Sequence, residues 1–200
     1  MKKTMMMAVL AAGVAATQVQ AQAVSWNFAQ LSRASAKIDD ESEKLTGISA
    51  AFSREMKDNI VLGGEYMNMD FSKYGWDVKV KTIELHAGRH HSLSGSAQWY
   101  WQAGLANQSQ KTTNSWWSSR NESDSAMFVN GRVGLIGMTT DSLQLNGFVE
   151  YQYSTDSEFD SDIWVGAQAR YYINSAFSLQ TSYGIGDDIR LLTFGAAYHF

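Results

Sequence analysis

From residue 24 onward the chain alternates between two kinds of side chain with a period of two, and turn-forming residues break the alternation at short intervals. Period two belongs to β-strands, whose successive side chains point to opposite faces. In residues 143–153, Leu143, Leu145, Gly147, Val149, Tyr151 and Tyr153 share one face, while Gln144, Asn146, Phe148, Glu150 and Gln152 share the other. A helix would mix these two sets. Residues 163–172 set Ile163, Val165, Ala167, Ala169 and Tyr171 against Trp164, Gly166, Gln168, Arg170 and Tyr172, and residues 97–105 repeat the pattern around Trp99 and Trp101. The reading predicts ten strands, at 24–34, 44–54, 59–71, 76–89, 95–107, 125–138, 142–155, 161–173, 176–186 and 189–200. The first is the least regular, and its orientation stays open.

The links between strands alternate in length. Residues 56–59, 91–94, 139–141 and 174–176 read as tight turns; 34–43, 72–75, 108–124, 154–161 and 186–188 read as longer or more charged links. An even number of antiparallel strands joined alternately by short periplasmic turns and longer external loops is the plan of a transmembrane β-barrel. Ten strands on this plan place both termini in the periplasm. The expected fold is all-β, a closed antiparallel transmembrane barrel of ten strands, with eight as the alternative.

A soluble sandwich also alternates, so composition has to discriminate. Proline is absent from the chain, which suits a sheet in lipid, where every ladder hydrogen bond must be made and no edge is left open. The faces opposite the apolar rows carry Gln98, Gln102, Asn130, Arg132, Gln144, Asn146, Glu150, Gln168, Arg170 and Gln180, with almost no lysine. That suits a filled interior better than a wetted surface. Trp99, Trp101, Tyr151, Tyr153, Tyr171, Tyr183, Tyr198 and Phe200 lie toward strand ends, where aromatic rings meet lipid headgroups. Cysteine is also absent, which excludes disulfides, thiolate metal sites and a cysteine nucleophile. Outside the N-terminus no apolar run of about 20 residues occurs, so spanning by helices is excluded.

Residues 1–23 read as a signal peptide and residues 24–200 as the barrel domain. Lys2 and Lys3 precede an apolar run, and Ala21-Gln22-Ala23 offers a small-x-small cleavage site; cleavage after Ala21 is the alternative. The formal charge of −4, lowered further by removing the two lysines, argues against nucleic acid as a partner.

The last nine residues, Leu192-Thr-Phe-Gly-Ala-Ala-Tyr-His-Phe200, place Leu192, Phe194, Ala196, Tyr198 and the terminal Phe200 at alternate positions. This strand resembles the C-terminal recognition strand of outer-membrane proteins, and the whole of 24–200 resembles the small OmpA-like or porin-like outer-membrane β-barrels. The resemblance implies an outer-membrane location, lipid and lipopolysaccharide as surroundings, and the barrel assembly machinery as partner, with Phe194, Tyr198 and Phe200 as the assembly signal. A monomer without cofactor or metal is expected. No periplasmic peptidoglycan-binding domain is expected after Phe200.

If the apolar rows face lipid, Glu65, Glu84, His86, Arg132, Glu150 and Arg170 point inward, and charges in a narrow lumen are expected to pair. The expected role is envelope-structural and surface-interacting, around a lumen filled by this polar network. A narrow channel is the alternative, and a lipid-modifying enzyme ranks third. His90-x-Ser92 resembles the His-x-Ser spacing of lipid A deacylases, but it falls at a predicted periplasmic turn with no evident acid beside it, so no catalytic residue is assigned. The omptin proteases also have ten strands, yet their His and Asp sites sit on tall external extensions where these histidines do not fall. The acidic stretches 39–43 and 156–162 read as solvated loops. In the longest link, Trp116, Trp117 and Arg120 are candidates for contact with a partner. Exported protein should have an intact mass corresponding to a chain that begins at Val24 or, for the alternative cut, at Gln22; retention of residues 1–20 would overturn the leader.

Overall fold

In the computed structural model, which describes residues 24–38, 44–73, 76–114, 121–156 and 160–200, ten strands form one closed sheet. They are β1 (Phe28–Ile38), β2 (Lys44–Glu55), β3 (Ile60–Lys73), β4 (Trp76–Ser92), β5 (Ala97–Asn114), β6 (Asn121–Met138), β7 (Leu143–Ser154), β8 (Asp162–Tyr172), β9 (Phe177–Ile185) and β10 (Ile189–His199). Each pairs antiparallel with its chain neighbour, and β1 pairs antiparallel with β10 from Phe28↔His199 to Ile38↔Ile189. Among the described residues no helix is long and apolar enough to cross a membrane.

Alternation decides which side chains go where. On β7 the outward row is Leu143, Leu145, Gly147, Val149, Tyr151 and Tyr153, and its inward residues Gln144 and Glu150 are buried. Such an eleven-residue row, rising about 3.3 Å per residue with a tilt near 40°, spans roughly 25 Å, the height of an apolar membrane band. Leu31, Leu85, Leu105, Val133, Ile163 and Phe194 are all more than half exposed on this outer wall, as lipid-facing residues must be. Aromatics flank the band. At the end carrying the short turns, Phe52 stacks on Phe200 at 5.8 Å, Phe177 meets Tyr198 at 5.3 Å and His91 stacks on Trp99 at 4.6 Å.

The short turns are built alike. Met56, Leu93, Thr139 and Ile173 each donate a backbone hydrogen bond to the carbonyl four residues on, at 2.7–2.9 Å. In the first turn Asp58 and Asn59 take φ of 64° and 60°, a left-handed conformation that Asp and Asn tolerate better than other non-glycine residues.

Two expectations are corrected. The first strand starts four residues later than predicted and runs to Ile38, because residues 24–27 leave the ladder and enter the barrel mouth. Its orientation is now defined: Phe28, Gln30, Ser32, Ala34 and Ala36 face inward. The link predicted at 108–124 is mostly strand, since β5 continues to Asn114 and β6 begins at Asn121, paired through Thr113↔Asn121. Its Ser, Thr, Asn and Gln residues suggested a loop, but above the lipid both faces of a sheet are wet and polar residues pair there without cost. The other boundaries lie within three residues of the expectation.

Inside, two aromatic rings lie over glycines. A Cβ added to Gly134 would come within 2.6 Å of the Tyr100 ring, and one on Gly166 would meet the Phe148 ring. Gly134→Ala should therefore displace Tyr100 and destabilise the barrel by about 1–3 kcal/mol, read as a lower urea midpoint in detergent; Gly131→Ala, which meets nothing within 4 Å, should leave the midpoint within about 0.5 kcal/mol of the parent.

Candidate functional site

The candidate site is the lumen, and it is layered. At the short-turn end, residues 24–27 fold into the mouth. Trp26 is 7% exposed; its indole Nε1 donates to Gln98 Oε1 at 2.8 Å, its ring stacks on His90 at 5.4 Å, and Tyr100 meets it edge-on at 5.2 Å. Val24, Trp26, Val61, Tyr100, Ile136, Met138 and Tyr172 form one apolar cluster there. The segment is tied at several points: Asn27 Oδ1 accepts from the Glu55 backbone N–H at 2.8 Å, and Ser25 Oγ lies 3.3 Å from His199 Nδ1.

Above this cap lies the polar layer. The alternation places Glu65 on β3, Glu84 and His86 on β4, Arg132 on β6, Glu150 on β7 and Arg170 on β8 on the inner wall. Arg132 and Glu150 are register partners, and Arg132 Nε donates to Glu150 Oε2 at 2.5 Å while Nη2 contacts the same oxygen. Gln152 Nε2 donates to the other carboxylate oxygen at 2.8 Å. The guanidinium lies 4.6 Å over the Phe148 ring. Glu84 Oε1 is 3.2 Å from His86 Nδ1, and Ser49 Oγ donates to Glu65 Oε1 at 2.6 Å.

Arg170 behaves differently from the pairing expectation. It is 2% exposed, but its Nη2 donates to the amide oxygen of Gln180 at 3.0 Å and its guanidinium lies 4.2 Å over the Phe28 ring. Gln180 Oε1 also accepts from Gln168, whose own oxygen accepts from Asn146, whose oxygen in turn accepts from the Tyr100 hydroxyl. This amide relay links β9, β8, β7 and β5. Amides suit it because each offers both donor and acceptor, so a chain can run across four strands without a net charge. Sequence alternation identified these residues as inward-facing, and only the register shows that they connect.

Toward the loop end, Ala34, Ala36 and Met69 are buried with Leu45, Met67, Ile189 and Leu191 packed on them. A cavity of about 200 Å³ remains in the polar layer, lined by Glu65, Arg132, Gln168, Arg170 and Gln180 among others.

The histidine motif is resolved by its surroundings. His90 faces inward, and its Nε2 lies 3.0 Å from Glu55 Oε1. An acid does stand beside it, contrary to the sequence reading. Ser92 Oγ instead donates to the Ser94 carbonyl within the turn at 2.9 Å, so serine, histidine and acid do not form a relay. A pairing the sequence did not reveal is Ser178 Oγ with His199 Nε2 at 2.8 Å. Both residues are buried, and the other ring nitrogen faces Ser25, so His199 links β9 to the segment that precedes β1. In the acidic stretch 156–162, Asp162 Oδ1 accepts from the backbone N–H of Asp187 at 3.1 Å. Trp116, Trp117 and Arg120 lie outside the described residues.

Glu150→Gln should leave the part-buried Arg132 without its nearest carboxylate and cost about 1–3 kcal/mol, measured as a fall in unfolding free energy in detergent; a double-mutant cycle with Arg132→Gln should recover part of that loss.

No family model and no curated protein sequence matches the chain. Solved structures do. The translocator domain of the autotransporter NalP from Neisseria meningitidis is similar at 9% identity over 100% of this chain and 95% of that one, with a TM-score of 0.52. The β domain of the Bordetella autotransporter BrkA is similar at 12% identity over 86% and 98%, with a TM-score of 0.50. Ail, the attachment invasion locus protein of Yersinia pestis, aligns at 15% identity over 86% and 95%, with a TM-score of 0.46. At these identities likeness speaks to fold alone. Closed strand order, an apolar outer wall and flanking aromatics agree with it: the chain has the fold of a closed antiparallel β-barrel, similar in that respect to the two autotransporter domains.

Proposed function

We propose that the protein is an envelope-structural barrel, closed to solutes and non-catalytic, which meets its surroundings through its outer wall and loop end. One observation carries the closed lumen: Trp26 is seated across the mouth between Gln98, His90 and Tyr100, beneath the Arg132–Glu150 pair. Ten strands sit near the size at which side chains fill a barrel, well short of the sixteen or more of an aqueous pore. Ser92 gives its hydroxyl proton to the Ser94 carbonyl while His90 faces Glu55, an arrangement that supports a non-catalytic reading.

On this reading residues 1–23 direct export and are removed, the short-turn end lies in the periplasm, and the monomer sits in outer-membrane lipid and lipopolysaccharide. Phe194, Tyr198 and Phe200 present a row of exposed rings on the outer face of β10 to the barrel assembly machinery. Trp116, Trp117 and Arg120 provide the loop contact. The cavity of about 200 Å³ among charged residues favours the second reading, a narrow channel.

Planar-bilayer recording separates the two. The unaltered protein should show no stable unitary conductance, and Trp26→Ala should produce openings. Steady conductance by the unaltered protein that changes on Arg132→Gln or Glu150→Gln would establish the channel instead.

A further inference from the structure

Arg170 is a buried cation with no counter-charge among the described residues. Its guanidinium is met by the Gln180 amide oxygen at 3.0 Å, the Phe28 ring at 4.2 Å and Tyr172, and its Nε finds no acceptor. Apart from Asp162 at the loop end, which accepts from the Asp187 backbone N–H, the described inward rows of β8, β9, β10 and β1 carry no carboxylate. On the next strand, Glu150 is the register partner of Trp164, while Arg170 pairs with Gln144 about 20 Å further along β8. Glu150 is in any case taken by Arg132 and Gln152. Glu65 lies on β3, directly across the ten-strand ring from β8. The lumen is thus acidic on one wall and cationic on the facing one, and Arg170 and Glu65 both line the cavity of about 200 Å³.

Burying a charge unanswered is costly, and an anion in the cavity beside Arg170 removes that cost. Size narrows the choice. About 200 Å³ falls below the roughly 300–1,000 Å³ of pockets for drug-sized ligands, so the occupant is a molecule of a few carbons. A carboxylate suits Arg170, whose planar guanidinium matches two oxygens. A phosphate dianion suits it less, because it would meet twice the repulsion from Glu65. The rest of the Arg170 side favours hydroxyls: Gln30, Gln168 and Gln180 line it with amides that both donate and accept. Ser182 and Thr193, which also line it, already bond hydroxyl to hydroxyl at 2.6 Å.

We infer that the lumen is a dead-end pocket for a small hydroxylated carboxylate, with Arg170 as the carboxylate contact and the neighbouring amides and hydroxyls as contacts for its hydroxyl groups. The site goes beyond the proposed function but rests on its closed mouth. With Trp26 across the short-turn end, the solute enters and leaves at the loop end and does not cross.

The test titrates the full mature chain in detergent with D-glycerate, glycerol and inorganic phosphate at neutral pH, followed by calorimetry. Glycerate should bind saturably, glycerol should not, and phosphate should bind more weakly than glycerate. Arg170→Gln should weaken glycerate binding roughly tenfold or more. Glu65→Gln should tighten it about threefold, since a negative charge on the facing wall is removed. Heat-modifiable migration checks that each variant is folded; should Arg170→Gln not fold, the opposite sign of Glu65→Gln carries the test. No saturable binding of glycerate, an equal response to glycerol, tighter binding of phosphate, unchanged affinity in Arg170→Gln or weakened affinity in Glu65→Gln would overturn the site. Steady conductance by the unaltered protein would overturn the closed mouth instead, and the titration would still decide the pocket.

Discussion

The seam between β1 and β10 is the interaction on which everything else depends. A sheet with one face in lipid can leave no backbone donor or acceptor unpaired, and eleven register pairs from Phe28↔His199 to Ile38↔Ile189 remove the last edge. Once the ring is closed, every strand has one row toward hydrocarbon and one toward a confined interior. The two rows then face opposite requirements. The outer one must be apolar and can be loosely specified. The inner one must satisfy each polar group within a narrow space, and it does so with an ion pair on β6 and β7 and an amide relay running from β9 to β5.

These two solutions differ in what they demand. Arg132 and Glu150 are bound to one another by charge, and loss of either leaves the other only its weaker contacts, Gln152 on Glu150 and the Phe148 face on Arg132. Arg170 is held without a carboxylate, by an amide oxygen and an aromatic face, so its charge is spread over weaker contacts. The inner wall therefore holds its arginines in two ways, and only one of them uses a matched acid.

Much of the fold was legible because period two is unambiguous when one row is apolar throughout. Strand number, closure and the inward direction of Glu65, Glu84, His86, Arg132, Glu150 and Arg170 all follow from it. What stayed hidden has physical reasons. Trp26, Phe28 and Gln30 share a parity, so alternation alone could not show that Trp26 caps the mouth while Phe28 joins the ladder. Ser, Thr, Asn and Gln in 108–124 carry no apolar row once the wall rises out of lipid, so strand and loop look alike there. The partners Glu55 and His90, 35 residues apart, and Ser178 and His199 depend on register and barrel curvature, which composition does not encode.

The extension of β5 and β6 far past the hairpin of β9 and β10 has a consequence of its own. The rim is lopsided, with a high screen on one side and a low sill at residues 186–188 on the other. A barrel with a level rim looks the same from every azimuth, and this one does not. Large molecules approaching the loop end can reach its opening more readily over the sill, and the screen shelters it from the opposite quarter. Neighbours in the crowded leaflet thus meet a molecule with a front and a back.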